Sequence, residues 1–194
     1  LSETNHENQE EIATILEQTE KLDFLIQSLV KLSRMESGII AVHSEDTTIK
    51  QMLESIQQQF NVKVREKNIT LSLCDTDLHI RCDSKWTVEA LGNIVDNAIK
   101  YTACGGNVQV KAEQNSFFVK IDIIDDGIGI EKEEIPKIFG RFYRSLSVAD
   151  QPGVGIGLFL AREIIQAQKG YIKVTSEREK GSTFSVFLPI AKKE

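Results

Sequence analysis

Cysteine, proline and tryptophan are scarce in this chain of 194 residues, which contains three, three and one of them respectively. The cysteines, Cys74, Cys82 and Cys104, are odd in number and show no C-x-x-C spacing. This pattern disfavours both a disulfide framework and a zinc site. We therefore expect small buried thiols in a reducing cytosol.

Long hydrophobic runs are also absent, because the longest purely apolar stretches, such as residues 39–42, are only a few residues long. A transmembrane helix needs about 20 mostly apolar residues, so we expect neither a membrane span nor a signal peptide. The expected location is the cytoplasm. If the parent protein senses across a membrane, we expect that region to lie outside this sequence.

The chain has no excess of basic residues, since 29 acidic side chains outnumber 23 lysines and arginines, which gives a net charge of −6. A nucleic-acid partner is therefore not expected. The composition, 41% hydrophobic and 27% charged, is typical of a soluble globular protein. The length is sufficient for one well-buried core with an additional segment.

Residues 7–36 form one long predicted helix without an internal glycine or proline, and Gly38 ends it. Side chains recur at three- and four-residue steps in a coiled-coil-like stripe, which contains Ile15, Leu22, Ile26 and Leu29 with Thr19 between the first two. Such a helix cannot bury this stripe alone, so the sequence predicts a partner helix.

The rest of the chain alternates between helices and short strands. We expect an extended link at 39–47, helices at 48–67, 84–101, 132–140 and 157–169, a mobile loop at 144–156, and strands at 69–74, 78–82, 107–113, 117–124, 170–176 and 182–189. Thr47 or Thr48 and Asp83 or Ser84 are the expected helix caps. Hairpins rather than βαβ repeats favour an α+β fold, a two-layer α/β sandwich with helices on one face of a mixed sheet.

Polar side chains share one face of the predicted helix 84–101. Asn93, Asn97, Lys100 and Tyr101 follow one another at helical spacing. Two carboxamides on an otherwise apolar helix cost desolvation unless something binds them. A hydrated magnesium ion with phosphate oxygens would bind the amides, and Lys100 would neutralise charge. A half-exposed polar stripe without a ligand explains the spacing equally well.

Asp125 follows the end of a predicted strand, with Gly127 and Gly129 two and four residues later. The glycines let the backbone approach a flat ligand, and the carboxylate can accept from an exocyclic amine such as that of adenine. An acidic turn is the alternative. A calcium loop is disfavoured because its spaced oxygen ligands and terminal glutamate are missing.

Three further glycines, Gly153, Gly155 and Gly157, precede the predicted helix 157–169. They lack the G-x-G-x-x-G spacing and the βαβ context of a dinucleotide site, and the chain has no Walker phosphate loop. They can serve as a hinge that places backbone amides near phosphate at the helix start. A plain flexible turn is the alternative.

Taken in this order, the motifs resemble those of the GHKL superfamily of ATPases and kinases (gyrase, Hsp90, histidine kinase, MutL). Asn93 and Asn97 resemble its asparagine box, and the two glycine groups resemble its glycine boxes. The segment 138–144 resembles the phenylalanine box of histidine kinases, and 181–184 the last glycine box. The resemblance covers residues 37–194 and implies a Bergerat-type ATP-binding fold.

The resemblance also implies roles for individual residues. Asn97 would be the principal magnesium ligand, assisted by Asn93, while Lys100 would meet phosphate as part of the catalytic group with Asn93 and Arg144. Asp125 would accept from the adenine amine. The remaining expected nucleotide-binding positions are Tyr101, Gly127, Gly129, Arg141, Gly153, Gly155, Gly157 and Thr183. The implied cofactors are ATP and Mg²⁺.

The predicted first helix resembles the second helix of the kinase dimerisation hairpin. We therefore expect a partial dimerisation helix and linker at 1–42 and an ATP-binding catalytic domain at 43–194. The implied partners are a histidine-bearing dimerisation helix, a second copy in the full-length kinase and the receiver domain of a response regulator. None of His6, His43 and His79 lies in a histidine-box context, so the phospho-acceptor is expected outside this sequence.

Three functions remain open on the sequence alone. The leading one is the catalytic core of a two-component sensor histidine kinase, which passes the γ-phosphoryl group to a histidine and onward to a response regulator. An ATP-driven hydrolytic clamp is disfavoured because Asn93 stands where those relatives carry a glutamate. A nucleotide-binding scaffold without catalysis is disfavoured because the nucleotide positions are intact.

Overall fold

The computed structural model describes residues 3–36, 42–148, 151 and 153–190. The chain divides into two compact units: Leu1–Ala41 with Leu146–Val154, and Val42–Ser145 with Gly155–Glu194. No helix in the described ranges combines the length and the apolar character that a membrane span requires.

The described residues contain four α-helices, seven strands and one short 3-10 helix at Leu146–Val148. The helices are α1 (Glu3–Glu36), α2 (Ile49–Glu66), α3 (Ser84–Tyr101) and α4 (Gly157–Ala167). The strands are β1 (Glu45–Thr48), β2 (Thr70–Leu73), β3 (His79–Cys82), β4 (Asn107–Gln114), β5 (Phe118–Asp125), β6 (Tyr171–Glu177) and β7 (Gly181–Pro189).

In the first unit, α1 is a single helix of 34 residues. The apolar stripe that the sequence predicts is exposed, with Ile15, Leu22, Ile26 and Leu29 between 40% and 63% accessible. Scattered apolar side chains are normal on a surface, but a stripe along one helix needs a partner.

The second unit is built on a five-stranded sheet in the order β2-β4-β5-β7-β6. Only β2 and β4 are parallel, and the other neighbours are antiparallel. Buried and half-buried residues alternate along β5 and so distinguish the two faces of the sheet. Val119, Ile121 and Ile123 are fully buried, and the residues between them are half-buried. The buried face carries the helices, so the predicted two-layer sandwich is confirmed.

Helices α2 and α3 begin at clear capping signals. Thr48 caps α2 by accepting from the Gln51 amide, and the Asp83 carboxylate caps α3 by accepting from the Trp86 amide at 3.1 Å. Both caps are among those predicted. The second Asp83 oxygen accepts from the His43 amide at 3.0 Å, so this carboxylate also fastens the chain where it enters the unit.

Two expectations about the elements were wrong. The predicted link at 39–47 ends in strand β1, which pairs with β3 in a separate two-stranded sheet; residues 37–41 lie outside the described residues. The predicted helix at 132–140 is a series of turns with bonds such as the one from the Lys137 amide to the Glu134 carbonyl. Pro136 lies within this segment and has no amide hydrogen to donate to a helical ladder.

Candidate functional site

The polar face of α3 consists of half-buried side chains beside a buried apolar face. The Asn93 amide nitrogen donates to the Glu89 carbonyl at 2.9 Å, so the amide oxygen remains available to a ligand. In the part of the chain that the structure describes, the Asn97 amide has no hydrogen-bond partner. The side-chain atoms of Asn97 are not buried, so water can reach this amide and a ligand could replace that water.

The start of α4 lies directly against Asn93. A methyl group on Gly157 would lie 3.0 Å from the Asn93 amide oxygen, which is tighter than an ordinary contact. Ile156, at the cap position, makes no side-chain capping bond. The first amides of α4 therefore carry the partial positive charge of a helix N-terminus beside an available amide oxygen.

The loop between the phenylalanine segment and α4 is closed at its base. The Phe142 amide donates to the Gly155 carbonyl at 3.0 Å. Gly155 has a φ of 77°, and a methyl group there would lie 2.5 Å from the Tyr143 carbonyl oxygen. Gly153, in the other unit, has a φ of 145°. Residues 149, 150 and 152 lie outside the described residues, and the expected mobility of 144–156 stays a prediction.

The two arginines of this segment lie near the base of the loop. The exposed Arg141 guanidinium lies 5.8 Å from the ring centres of both Phe142 and Phe159, and Arg144 is half-buried. The expected contact of either residue with phosphate stays a prediction.

Asp125, the last residue of β5, is a buried carboxylate at 7% exposure. It accepts a hydrogen bond from the Gly127 amide at 2.9 Å. Burial raises the pKa of Asp125 from 3.8 to about 6, although the backbone amides of Gly127 and Ser182 oppose the rise, and the Asp126 charge adds to it. A perturbed acid of this kind is typical of a functional site.

The first glycine group brings this acid against the end of α3. A methyl group on Gly127 would lie 2.6 Å from the Tyr101 carbonyl oxygen, and the Ile128 amide donates to the same oxygen at 3.3 Å. Gly129, with a φ of 68°, packs against the Glu177 carbonyl. A larger residue at position 127 would push the Asp125 loop away from α3, and one at position 129 would push it away from the end of β6.

Lys100 and Tyr101 close this end of the α3 face as a pair. The Lys100 ammonium donates to the Tyr101 hydroxyl at 3.1 Å and lies 4.7 Å from the centre of the tyrosine ring. An aromatic ring and a cation therefore lie together on the last turn of α3, the turn whose Tyr101 carbonyl contacts the Asp125 loop.

Thr183 and Asp125 lie on different faces of the sheet, and the expected place of Thr183 among the nucleotide-binding residues stays a prediction. In the register of β5 and β7, Asp125 is paired with Ser182, and Thr183 is paired with Ile124. Thr183 therefore lies on the sheet face of Ser185, whose hydroxyl donates to Asp122 at 2.6 Å. Strand alternation puts the neighbouring Thr183 on the opposite face to Asp125.

Ser182 is the hydroxyl on the Asp125 face, and it is buried at 7% exposure. Its hydroxyl oxygen lies 3.0 Å from that of Ser176, which also donates to the Gly181 carbonyl and accepts from the Ile130 amide, both at 2.8 Å. The sequence reasoning missed Ser182, although the buried Phe184, Val186 and Leu188 indicate the phase of the strand.

The second unit is thus a two-layer sandwich that carries a candidate site. In this site the polar face of α3 meets the N-terminus of α4 at Asn93 and the loop of the buried Asp125 at its other end. Residues 82–192 match the family described as "Histidine kinase-, DNA gyrase B-, and HSP90-like ATPase". Because this match covers more than half of the chain, the chain belongs to that family.

Relatives and solved structures agree with this assignment. The chain is 32% identical over 177 residues to the sensor histidine kinase WalK of Bacillus subtilis, a match that covers 89% of the chain and 29% of WalK. The catalytic domain of the histidine kinase ThkA matches with a TM-score of 0.67 and 26% identity, over 76% of this chain and 96% of that domain. The Acinetobacter baumannii histidine kinase AdeS shares the fold, with a TM-score of 0.76 and 24% identity over 93% of this chain and 84% of AdeS. The chain thus spans less than a third of the length of WalK.

Proposed function

We propose that this chain is the ATP-binding catalytic core of a two-component sensor histidine kinase. It binds MgATP and presents the γ-phosphoryl group to a histidine outside the catalytic domain. The observation that carries the proposal is the approach of Gly157 to the Asn93 amide oxygen, because it joins the polar face of α3 to a helix N-terminus suited to phosphate. The names of the relatives support a kinase rather than a hydrolytic clamp.

The donor set fits magnesium that arrives with the nucleotide. In the described residues no group of three or more His, Cys, Asp or Glu side chains could hold a metal ion. Asn97 and Asn93 offer neutral amide oxygens, and Mg²⁺ commonly takes few protein ligands and keeps phosphate oxygens and waters. Mg²⁺ would supply charge neutralisation for the phosphates.

Asp125, which lies near the other end of the α3 face, would recognise the adenine ring of the nucleotide. The ionised Asp125 accepts from the adenine amine, Ser182 contributes a buried hydroxyl beside it, and the Tyr101 ring flanks the base. Gly127 lets the acid lie close to α3, and Gly129 lets its loop lie close to the end of β6. The buried Asp125 carboxylate can accept a further hydrogen bond, and this supports adenine as its partner, because an amine donor would offset part of the cost of desolvating the charge.

Phosphoryl transfer in this site consists of positioning and charge neutralisation. Lys100 and Arg144 place positive charge near the phosphates, with Arg141 in a supporting place at the base of the loop, and Gly153, Gly155 and Gly157 let that loop close. The wider assembly we propose contains α1 in a homodimer with a histidine-bearing helix, and a response regulator receiver domain. It belongs on the cytoplasmic side of a sensor.

Nucleotide titration and phosphotransfer assays test this function together. We expect calorimetry to show MgATP binding that is weakened in Asn97→Ala. With ATP alone the chain is expected to show neither acid-labile self-phosphorylation nor rapid phosphate release, because none of its histidines lies in the expected context and Asn93 cannot accept a proton as a carboxylate does. A histidine-bearing dimerisation helix added in trans is expected to become phosphorylated.

Two results would redirect the assignment. Label on this chain that disappears with His6→Gln would place the acceptor in α1. Rapid phosphate release that disappears with Glu89→Gln would identify the hydrolytic clamp instead.

A further inference from the structure

Lys67, the residue that follows α2, makes an unusual set of contacts with its side chain. Its ammonium group donates to the carbonyl oxygens of Ile99 at 2.9 Å, Lys100 at 2.6 Å and Thr102 at 2.7 Å. A lysine ammonium has three donors, so these three carbonyls use all of them.

The three acceptors belong to the C-terminal end of α3. The last carbonyls of a helix have no partner within the helix and carry its partial negative charge. Here the Thr102 amide still donates to the Ala98 carbonyl, and the following carbonyls turn to a cation from another helix. Lys67 therefore acts as a side-chain cap on α3.

The capped turn is the one that meets the candidate nucleotide site. It carries Lys100 and Tyr101, and the Tyr101 carbonyl receives the Ile128 amide and packs against Gly127. The backbone of Lys67 adds a second attachment, because its carbonyl accepts from the Gly105 amide at 3.1 Å in the loop after α3. Any movement of this turn would shift the side chains of α3 relative to the Asp125 loop.

We propose that Lys67 is a positioning residue for nucleotide binding: it holds the last turn of α3 so that Tyr101 and Lys100 stand in register with the Asp125 loop. This inference rests on the proposed function, because it assumes that the nucleotide binds at that face. Lys67 acts through the backbone of α3, since its donors are all engaged with carbonyl oxygens.

The chain offers a matched control on the same two helices. Lys63 lies one turn earlier on α2, and its ammonium pairs with Asp96 of α3 at 2.6 Å in an exposed ion pair. Exposed pairs contribute little to stability. Lys63→Met removes a cationic contact between α2 and α3 without touching the last turn of α3, whereas Lys67→Met removes the cap.

The test measures MgATP affinity by calorimetry and amide hydrogen exchange in the free protein, at a temperature where circular dichroism shows each variant folded. Lys67→Met is expected to weaken MgATP on the order of tenfold, because small displacements of binding groups are costly, while Lys63→Met stays at wild-type affinity. The amides of Thr102 and Ile128 are expected to exchange faster in Lys67→Met alone. Lys67→Arg, which keeps several donors, is expected to recover most of the affinity.

The possible outcomes distinguish a failure of the positioning role of Lys67 from a failure of the proposed function on which it rests. If wild type binds no nucleotide, the proposed function fails, while exchange at Thr102 and Ile128 still reports on the cap. If wild type binds and Lys67→Met matches Lys63→Met in affinity, or if Lys67→Arg recovers nothing, the positioning role is overturned. Should Lys67→Met not fold, Lys67→Gln replaces it, and unchanged affinity in that variant overturns the role equally.

Discussion

Replacing Asp125 with asparagine is expected to stabilise the fold and weaken nucleotide binding at the same time. One carboxylate oxygen of Asp125 accepts from the Gly127 amide at 2.9 Å. The residue as a whole is buried, at 7% exposure. Asparagine has nearly the same shape but no charge. The substitution therefore separates the cost of burying the charge from its use in binding.

The expected gain in stability follows from the pKa of Asp125. Burial raises it from 3.8 to about 6, so the folded state binds the proton more tightly than the unfolded state does. The contribution of Asp125 to stability is then greatest below about pH 4 and is lost as the pH rises through 6. At pH 7.5 a shift of this size corresponds to a cost of about 3 kcal/mol at most.

Asp125→Asn removes this cost, so the free energy of unfolding at pH 7.5 is expected to rise by about 1–3 kcal/mol. For a chain of this size that corresponds to a melting temperature higher by about 2–12 °C. The difference is expected to shrink as the pH falls and to disappear below about pH 3, where the wild-type acid is protonated in both states. Thermal unfolding followed by circular dichroism across this pH range measures both effects.

Binding is expected to change in the opposite direction. The asparagine oxygen is needed by the Gly127 amide, so its NH₂ group would face the adenine amine, a donor against a donor. Loss of a hydrogen bond to a charged acceptor costs about 1.5–3 kcal/mol, which is about a 10- to 150-fold weaker affinity for MgATP. Calorimetric titration at pH 7.5 measures this change.

Asp126→Asn is the matched control. Asp126 is an exposed acid whose carboxylate accepts from the backbone and side-chain amides of Asn107, each at 2.8 Å, and these bonds lower its pKa. Its ionised form therefore contributes stability at neutral pH, so this variant is expected to be less stable than wild type and to bind MgATP normally. An Asp125→Asn protein that is less stable than wild type at pH 7.5, or that binds MgATP with unchanged affinity, would refute the reasoning.

Four further predictions concern the same domain and α1. Affinity for MgATP is expected to rise with pH through about 6, the pKa that burial gives Asp125, and to level off above it; a flat titration of wild type between pH 5 and pH 8 would contradict the acid as the adenine acceptor. Ser182→Ala is expected to weaken MgATP by a few-fold and Thr183→Ala to leave it unchanged, as calorimetry would measure, and the reverse order would return the role to Thr183. Amide hydrogen exchange in 144–156 is expected to slow with a non-hydrolysable ATP analogue, and equal, strong protection in both states argues against a mobile lid. The exposed stripe of α1 is expected to drive self-association, and a clean monomer in sedimentation at high concentration would count against it.

The parts of the fold that the sequence predicts well carry a strong local signal. In β5, Val119, Ile121 and Ile123 alternate with less apolar residues, and the strand lies where this pattern places it. In α3, the polar residues recur at helical steps, and the Asp83 cap is a standard signal. Local periodicity and capping suffice for such elements because they need no information from distant parts of the chain.

Elements without a local signal were missed for a physical reason. Strand β1 is polar and has the sequence Glu-Asp-Thr-Thr, and it becomes a strand because Glu45 pairs with Cys82 and Thr48 with His79. Such pairing depends on register across more than thirty residues. The 132–140 segment has helical composition apart from Pro136, and this proline is a local signal against a regular helix.

The raised pKa of Asp125 could not be predicted from the sequence, because it depends on burial in the fold. The motif around Asp125 identifies an acid between glycines, but its pKa depends on the burial produced by β7, α3 and the approach of Gly127 to Tyr101. The same motif on an exposed turn would hold an ordinary aspartate, and asparagine there would not stabilise the fold. Burial makes the ionised Asp125 carboxylate costly in the free protein, as its raised pKa shows. The same burial strengthens the hydrogen bond that a bound amine would donate to this carboxylate. The opposite signs expected for stability and affinity in Asp125→Asn thus follow from the packing around one carboxylate.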